Sequence, residues 1–452
     1  MKKRINIVIF TTFLIVAAGH ITAQEKKNAD RLAAGPMSCY AEMREAMVWV
    51  QSVAPANVVM HYRERGRAVE WTETSVVRTS AENGFTAKLT AEPLEPGRHY
   101  EYKIVLNGKE QKFDYPTEFQ TPKLWQWRED PPEFKVAAGS CLYVNETQYD
   151  RPGKSYGGGY EILTAIAAKK PDIMLWLGDN AYLREVDWYS RSGILHRYSH
   201  TRALPELQPL LASTQNYAIW DDHDFGPNDA DRGFRAKDLT LEAFRLFWGN
   251  PSYGINGKPG ITTTFEWGDV QFFLLDNRYY RTPNNRKTGE RRMFGKEQIE
   301  WLTDNLVSSK ATFKIIVTGG QILNTATKYE TFARFPEERG DLLEAIRREN
   351  INGVIFVSGD IHSGELAVLQ RDGTYPLYEL TTSPLTSAAS PRPDSLRSLA
   401  LKETIVEDRN FAVIEFKGDK NNRTIIMRTY DKDGREWWNK TIHANELQAP
   451  VK

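Results

Sequence analysis

The chain has 452 residues, 40% of them hydrophobic, 12% aromatic and 26% charged, a composition that excludes a disordered or fibrous polymer and supplies core for two domains. Lys plus Arg and Asp plus Glu both number 59, for a formal net charge of zero. That balance excludes a general electrostatic field for nucleic acid or anionic membrane, so any affinity for phosphate has to be local.

The first residues, "MKKRINIVIFTTFLIVAAGHITAQ", place Lys2, Lys3 and Arg4 before an apolar stretch and small residues near Ala23. This is the layout of a cleavable signal peptide over residues 1–23, too short for a membrane span and without a twin-arginine pair. The expectation is a secreted or periplasmic protein with no transmembrane segment in its mature form. Cys39 and Cys141 are the only cysteines. They are too few for a disulfide framework, and either a single pair or two free thiols is compatible with export.

Residues 35–122 carry "EAMVWVQS", "NVVMHYRE", "GFTAKLTA" and "HYEYKIVLNG". The alternation of apolar and polar residues between Pro, Gly and Asn turns predicts a small immunoglobulin- or fibronectin-like β-sandwich. "TPKLWQWREDPP" reads as a linker. From 133 to 445, β-branched runs alternate with "GYEILTAIAAKK", "GKEQIEWLTDNLVSS" and "ERGDLLEAIRREN", the pattern of an α/β domain. "TTSPLTSAASPRPDS", 381–395, reads as a long surface loop. The C-terminal segment reads as a β-meander.

Each apolar run in this second part ends in chemistry. "FKVAAG" ends in Ser140 and Cys141, and "DIMLWLG" in Asp179 and Asn180 with Tyr182 following. "NYAIW" runs into "DDHDFGPND", "VQFFLL" into Asp276, Asn277 and Arg278, and "GVIFVSG" into Asp360, His362 and Glu365. Ligands of α/β sheets bind at the carboxyl ends of strands. Taken singly, Asp179 could be a helix cap, Cys141 an inert thiol and Asp360–His362 a structural contact. His196 and His200, four apart, resemble a zinc spacing, but no strand end accompanies them. Two carboxylates about 4 Å apart repel by roughly 1 kcal/mol even in water, so the four aspartates between 221 and 229 call for a cation. Together the strand ends fit a two-metal hydrolase. Asp179 would be shared by both cations, with oxygen donors from Asp360, Asp222 and Asn228 and softer or anionic donors from His362, Tyr182 and Cys141.

"GSC", "LGDNAY", "WDDHDFGPND", "LLDNRYYR" and "SGDIHSGE", in this order, resemble the motifs of the PhoD-like alkaline phosphatases, a branch of the calcineurin-like metallophosphoesterases. The resemblance covers roughly residues 134–430. It implies two β-sheets flanked by helices, phosphomonoesterase or phosphodiesterase activity, and a centre of Fe3+ and Ca2+, with Zn2+ or Mn2+ as substitutes. Carried over by motif, Cys141, Asp179, Tyr182 and His362 would hold iron. Asp179, Asp360 and either Asn228 or Asp222 would hold calcium, and Arg278 would clamp phosphate. The missing twin-arginine signal departs from the family pattern and implies metal loading outside the cytoplasm, which weakens the iron assignment. The compact catalytic region also departs from it.

The resulting expectation is a secreted, metal-dependent phosphoesterase acting on small phosphate esters. A hydroxide activated between two metals would attack phosphorus, with His223 serving the leaving group and Arg278 the non-bridging oxygens. A diesterase or phospholipase-type activity on the same centre is the alternative among enzymes. Outside enzymes, it is a catalytically idle, Ca2+-stabilised surface-binding protein, to which His223 and Arg278 would be superfluous.

Overall fold

The structure is a computed structural model and describes residues 30–450; the expected signal peptide and its cleavage site lie outside them. Among the described residues no helix is long and apolar enough to cross a membrane.

The N-terminal strands are β1 (Leu32–Ala41), β2 (Ala46–Ser52), β3 (Asn57–Glu64), β4 (Thr72–Glu73) and β5 (Val77–Arg78), then β6 (Thr86–Ala91), β7 (His99–Leu106), β8 (Lys109–Glu110) and β9 (Glu118–Gln120). They form an antiparallel sheet β1–β2–β6 and a second sheet built on β3 and β7, an all-β unit. In β7 the inward positions Tyr100, Tyr102, Ile104 and Leu106 alternate with outward ones, because side chains of a strand point to opposite faces in turn.

This unit is packed onto the rest of the chain. Trp49 is fully buried and donates from Nε1 to the Leu246 carbonyl (2.8 Å). Tyr102 Oη donates to Ala212 O (2.8 Å), and Asn216 Nδ2 to Ser38 O (2.9 Å).

The remaining strands are β10 (Phe134–Gly139), β11 (Ile173–Leu177), β12 (Gln215–Ile219), β13 (Thr263–Trp267), β14 (Val270–Leu274) and β15 (Phe313–Thr318). Then come β16 (Val354–Ser358), β17 (Glu365–Leu369), β18 (Leu377–Thr381), β19 (Asn410–Lys417), β20 (Thr424–Asp431) and β21 (Glu436–His443). They make two six-stranded sheets, in the orders β12–β11–β10–β19–β20–β21 and β13–β14–β15–β16–β18–β17. Strands β10, β11 and β12 run parallel, as do β14, β15, β16 and β18, while β13 and β17 are antiparallel edges.

Strands β11, β14 and β16 are buried along their whole length, which explains their unbroken apolar runs. Aromatic rings join the inner faces: Tyr217 stacks on Phe265 (3.6 Å) and Phe272 meets Phe416 edge-on (6.3 Å). The three helices read from the sequence are present at Glu161–Ala168, Lys296–Ser308 and Pro336–Arg348. The fold is therefore the expected pair of mixed sheets with flanking helices behind an all-β unit. The carboxyl ends of β10, β11, β12, β14 and β16 carry the residues discussed next.

Candidate metal centre

Four of the expected ligands occupy the left-handed backbone region: Cys141 (φ 62°), Asp179 (φ 53°), Asp360 (φ 65°) and His362 (φ 54°). Such conformations are uncommon outside glycine and turn a side chain sharply off the end of its strand. Their effect is to fold the tips of β10, β11 and β16 over one spot.

Ligand atoms of Cys141, Asp179 and His362 lie within 4.8 Å of one another, and those of Asp179, Asp222 and His223 do the same. Asp179 belongs to both groups. Its Oδ2 is 3.7 Å from Cys141 Sγ, and its Oδ1 accepts the His223 amide (3.2 Å). Burial, then the charges of Asp222, Cys141 and Asp221, push the Asp179 carboxyl well above the usual carboxylate range. Burial also raises the Cys141 thiol to about 12. A buried site whose acids cannot ionise together is what a cation resolves. Asp222 Oδ1 is moreover buried and without a hydrogen-bond partner among the described residues. The thiol, imidazole and carboxylate donors fit a borderline transition metal on one side, and the carboxylates a harder cation on the other.

Burial lowers the pKa of both His223 and His362. His362 Nδ1 donates to the Ala388 carbonyl (2.8 Å), leaving Nε2 to face inward, 3.3 Å from Tyr182 Oη. This is the outer hydrogen bond that fixes the tautomer of a metal-ligating histidine. Tyr182 is itself buried, with its Oη 3.1 Å from Ser387 Oγ. His223, expected to serve the leaving group, stacks on Tyr182 (4.3 Å) and puts a ring nitrogen inside the second group.

Asp222 shares a group with Asp179, and Asp360 is in neither of these two groups. Asn228 is exposed and bonds Asp229 (2.9 Å). Asp360 neighbours a third cluster, and burial with the charges of Asp221, Asp222 and Glu330 raises its pKa well above the usual range.

Arg278 lies in the interior, among carboxylates. Expected to face phosphate, it is fully buried, pairs with Asp221 and Glu330, and donates from Nη1 to Ala230 O (3.2 Å). The reason is electrostatic: Asp221, Asp222 and Glu330 lie within 4.8 Å of one another in the interior, and such acids need a counter-charge.

Several supports carry little sequence signal. Asp224 Oδ1 accepts the amides of Asn180 and Ala181, and its Oδ2 that of Asp221, all at 3.0 Å, tying the tips of β11 and β12 together. The segment after β18, read as a surface loop, is buried in its first half. Ser383 Oγ donates to Cys141 Sγ (3.1 Å), and Ser387 Oγ to Cys141 O (3.0 Å). A run of small hydroxyl residues was the only hint. Both cysteines are buried and free. Among the described residues, His196 and His200 belong to no group that could hold a metal ion; they bond Glu146 (3.1 Å) and the Asn145 carbonyl (3.1 Å).

A model of the PhoD-like phosphatases matches residues 137–426, and one described as a domain of unknown function (DUF7800) matches residues 29–124. Alkaline phosphatase D of Bacillus subtilis (strain 168) is 23% identical over 347 residues, 66% of this chain and 56% of that protein. The chain therefore spans little more than half the length of that relative. Among solved structures, PhoD superposes with a TM-score of 0.73 at 16% identity, over 91% of this chain and 92% of the other. Purple acid phosphatase PPD1 from yellow lupin (Lupinus luteus) seeds superposes with a TM-score of 0.66 at 13% identity, over 92% and 76%. Both likenesses concern the fold.

Proposed function

The chain belongs to the PhoD-like phosphatase family, and from that premise we propose that it is a metal-dependent hydrolase of small phosphate esters, exported by its N-terminal leader. The observation that carries this reading is the shared position of Asp179 in two converging ligand groups of different chemistry. Cys141, Asp179, Tyr182 and His362 would hold one cation, Fe3+ or in its place Zn2+ or Mn2+. Asp179 and Asp222, with Asp360 and Asn228 nearby, would hold the other, Ca2+. Bound there, two cations supply charge neutralisation for the transferred phosphoryl group and a lowered pKa for water.

The chain's own residues complete the chemistry. His223 faces the adjoining cavity, from which its imidazole can serve the departing oxygen by proton donation. Arg278 keeps Asp221 and Glu330 compensated, so that Asp222 stays oriented toward Asp179. The Ala388 carbonyl and Tyr156 Oη, 2.8 and 3.3 Å from His362 Nδ1, hold that ring in register. Exhaustive chelation of the purified protein should abolish hydrolysis of a phosphate monoester, and Ca2+ together with Fe or Zn should restore it. Full turnover by the chelated, metal-free protein would overturn this function.

A further inference from the structure

Beside the candidate centre lies a cavity of about 360 Å3, whose walls include Tyr143, Tyr156, Tyr182, Trp188 and His223. This is within the range of small-molecule sites, roughly 300–1,000 Å3. Tyr182 and His223 are also part of the centre, so an ester held at the centre has its alcohol side toward this space.

Five of the lining residues are rings, set beside charged and polar side chains such as Asp150, Arg151, Lys154 and Asn228. Tyr143 Oη donates to Asp150 (2.8 Å), Tyr156 Oη meets His362 Nδ1 (3.3 Å), and Trp188 Nε1 donates to the Leu183 carbonyl (3.2 Å). Tyr143 packs on Tyr156 (4.8 Å) and Tyr182 (5.0 Å). With the Tyr143 hydroxyl and the Trp188 indole N–H spent on the protein, these side chains offer the cavity apolar faces and edges, which favour a flat ring over a flexible chain.

The loop that brings in Tyr156 is itself fixed. Asn145 and Gly157 exchange two hydrogen bonds (3.0 and 3.1 Å), and Glu146 is held by His196 and Arg197 from the helix Arg191–Arg202. The charges at the cavity also sort themselves. Asp150 and Arg184 neutralise each other (2.8 Å), whereas Arg151 and Lys154 form no ion pair with a described residue and outnumber the exposed Glu185. The local balance is positive in a chain of zero net charge, as suits an anionic ester.

We propose that this cavity binds the alcohol part of the ester and selects a planar ring, of the nucleoside kind, over a short aliphatic alcohol, with Trp188 and Tyr156 as the specificity-determining residues. The proposal rests on the phosphoesterase reading. Its test compares kcat/KM of the metal-loaded protein for a nucleoside 5′-monophosphate and for glycerol 1-phosphate. Both are esters of primary alcohols, so they differ mainly in the ring.

The wild type should favour the nucleotide by about tenfold or more, and Trp188→Ala should cut that ratio roughly three- to tenfold, with Trp188→Phe recovering most of it. A wild-type ratio near one, or an equal proportional loss on both esters in Trp188→Ala, would overturn the proposal. If neither ester is turned over, it is the phosphoesterase reading that fails, and calorimetric titration with the nucleoside monophosphate then decides the cavity. Binding weakened by Trp188→Ala supports it, and binding unaffected by that change refutes it.

Discussion

Cys141, Asp179, Asp360 and His362 hold backbone conformations that cost on the order of 1–3 kcal/mol each in a non-glycine residue. His223 is the residue whose role the geometry leaves to experiment, because its ring lies both inside the second group and on the cavity wall. If it serves the leaving group, His223→Ala should keep metal content near wild type and lower kcat by roughly 10²–10⁴-fold, more for alkyl than for activated aryl phosphates. Metal lost with the side chain, read by elemental analysis, would make it a ligand instead. Cys141, Asp179, Asp222 and His362 were legible in the sequence because each terminates or closely follows an apolar run. Glu330 was not, since it sits in a loop with no pattern around it. The partners of Arg278, Asp221 and Glu330, come from 57 and 52 residues away, so the sequence around it does not show them.

The strand is the element that makes the site, and its bare end is what lets the tips approach. A Cβ on Gly319, just beyond β15, would lie 2.5 Å from Asp221 Cγ and 2.7 Å from Asn277 Nδ2. Gly319→Ala should therefore displace Asp221 from Arg278, destabilising the fold by about 1–3 kcal/mol and weakening metal retention. Equilibrium unfolding and metal analysis check this, and an unchanged protein would mean that the acid cluster is less tightly built than described. Helices and parallel strands could be read from their periodicity, because burial on both faces and amphipathic stripes leave direct marks on sequence. The segment after β18 could not. Ser383 and Ser387 are polar, as in any exposed loop, and only the tertiary fold turns their hydroxyls onto Cys141.

At the scale of the whole molecule, the all-β unit and the two-sheet unit share an interface. Trp49, buried there, packs against Phe247 (5.7 Å) and beneath the Arg202 guanidinium (5.5 Å). Trp49→Ala should cost about 3–5 kcal/mol, and denaturant unfolding followed by near-ultraviolet dichroism and by activity should shift together. Transitions that separate would show that the two units unfold independently. The alternation of the N-terminal strands was visible in the sequence, but this docking was not, since Trp49 looks the same inside a core as across an interface. What unites the molecule's parts is the claim that five strand ends build one centre for two cations around Asp179. The most direct test is elemental analysis of the metal-loaded wild type beside Asp179→Asn, with circular dichroism confirming that both are folded. The wild type should hold two metal ions per chain and Asp179→Asn fewer than one, because the substitution removes a charge that both groups share. A folded Asp179→Asn that still holds two would contradict the account.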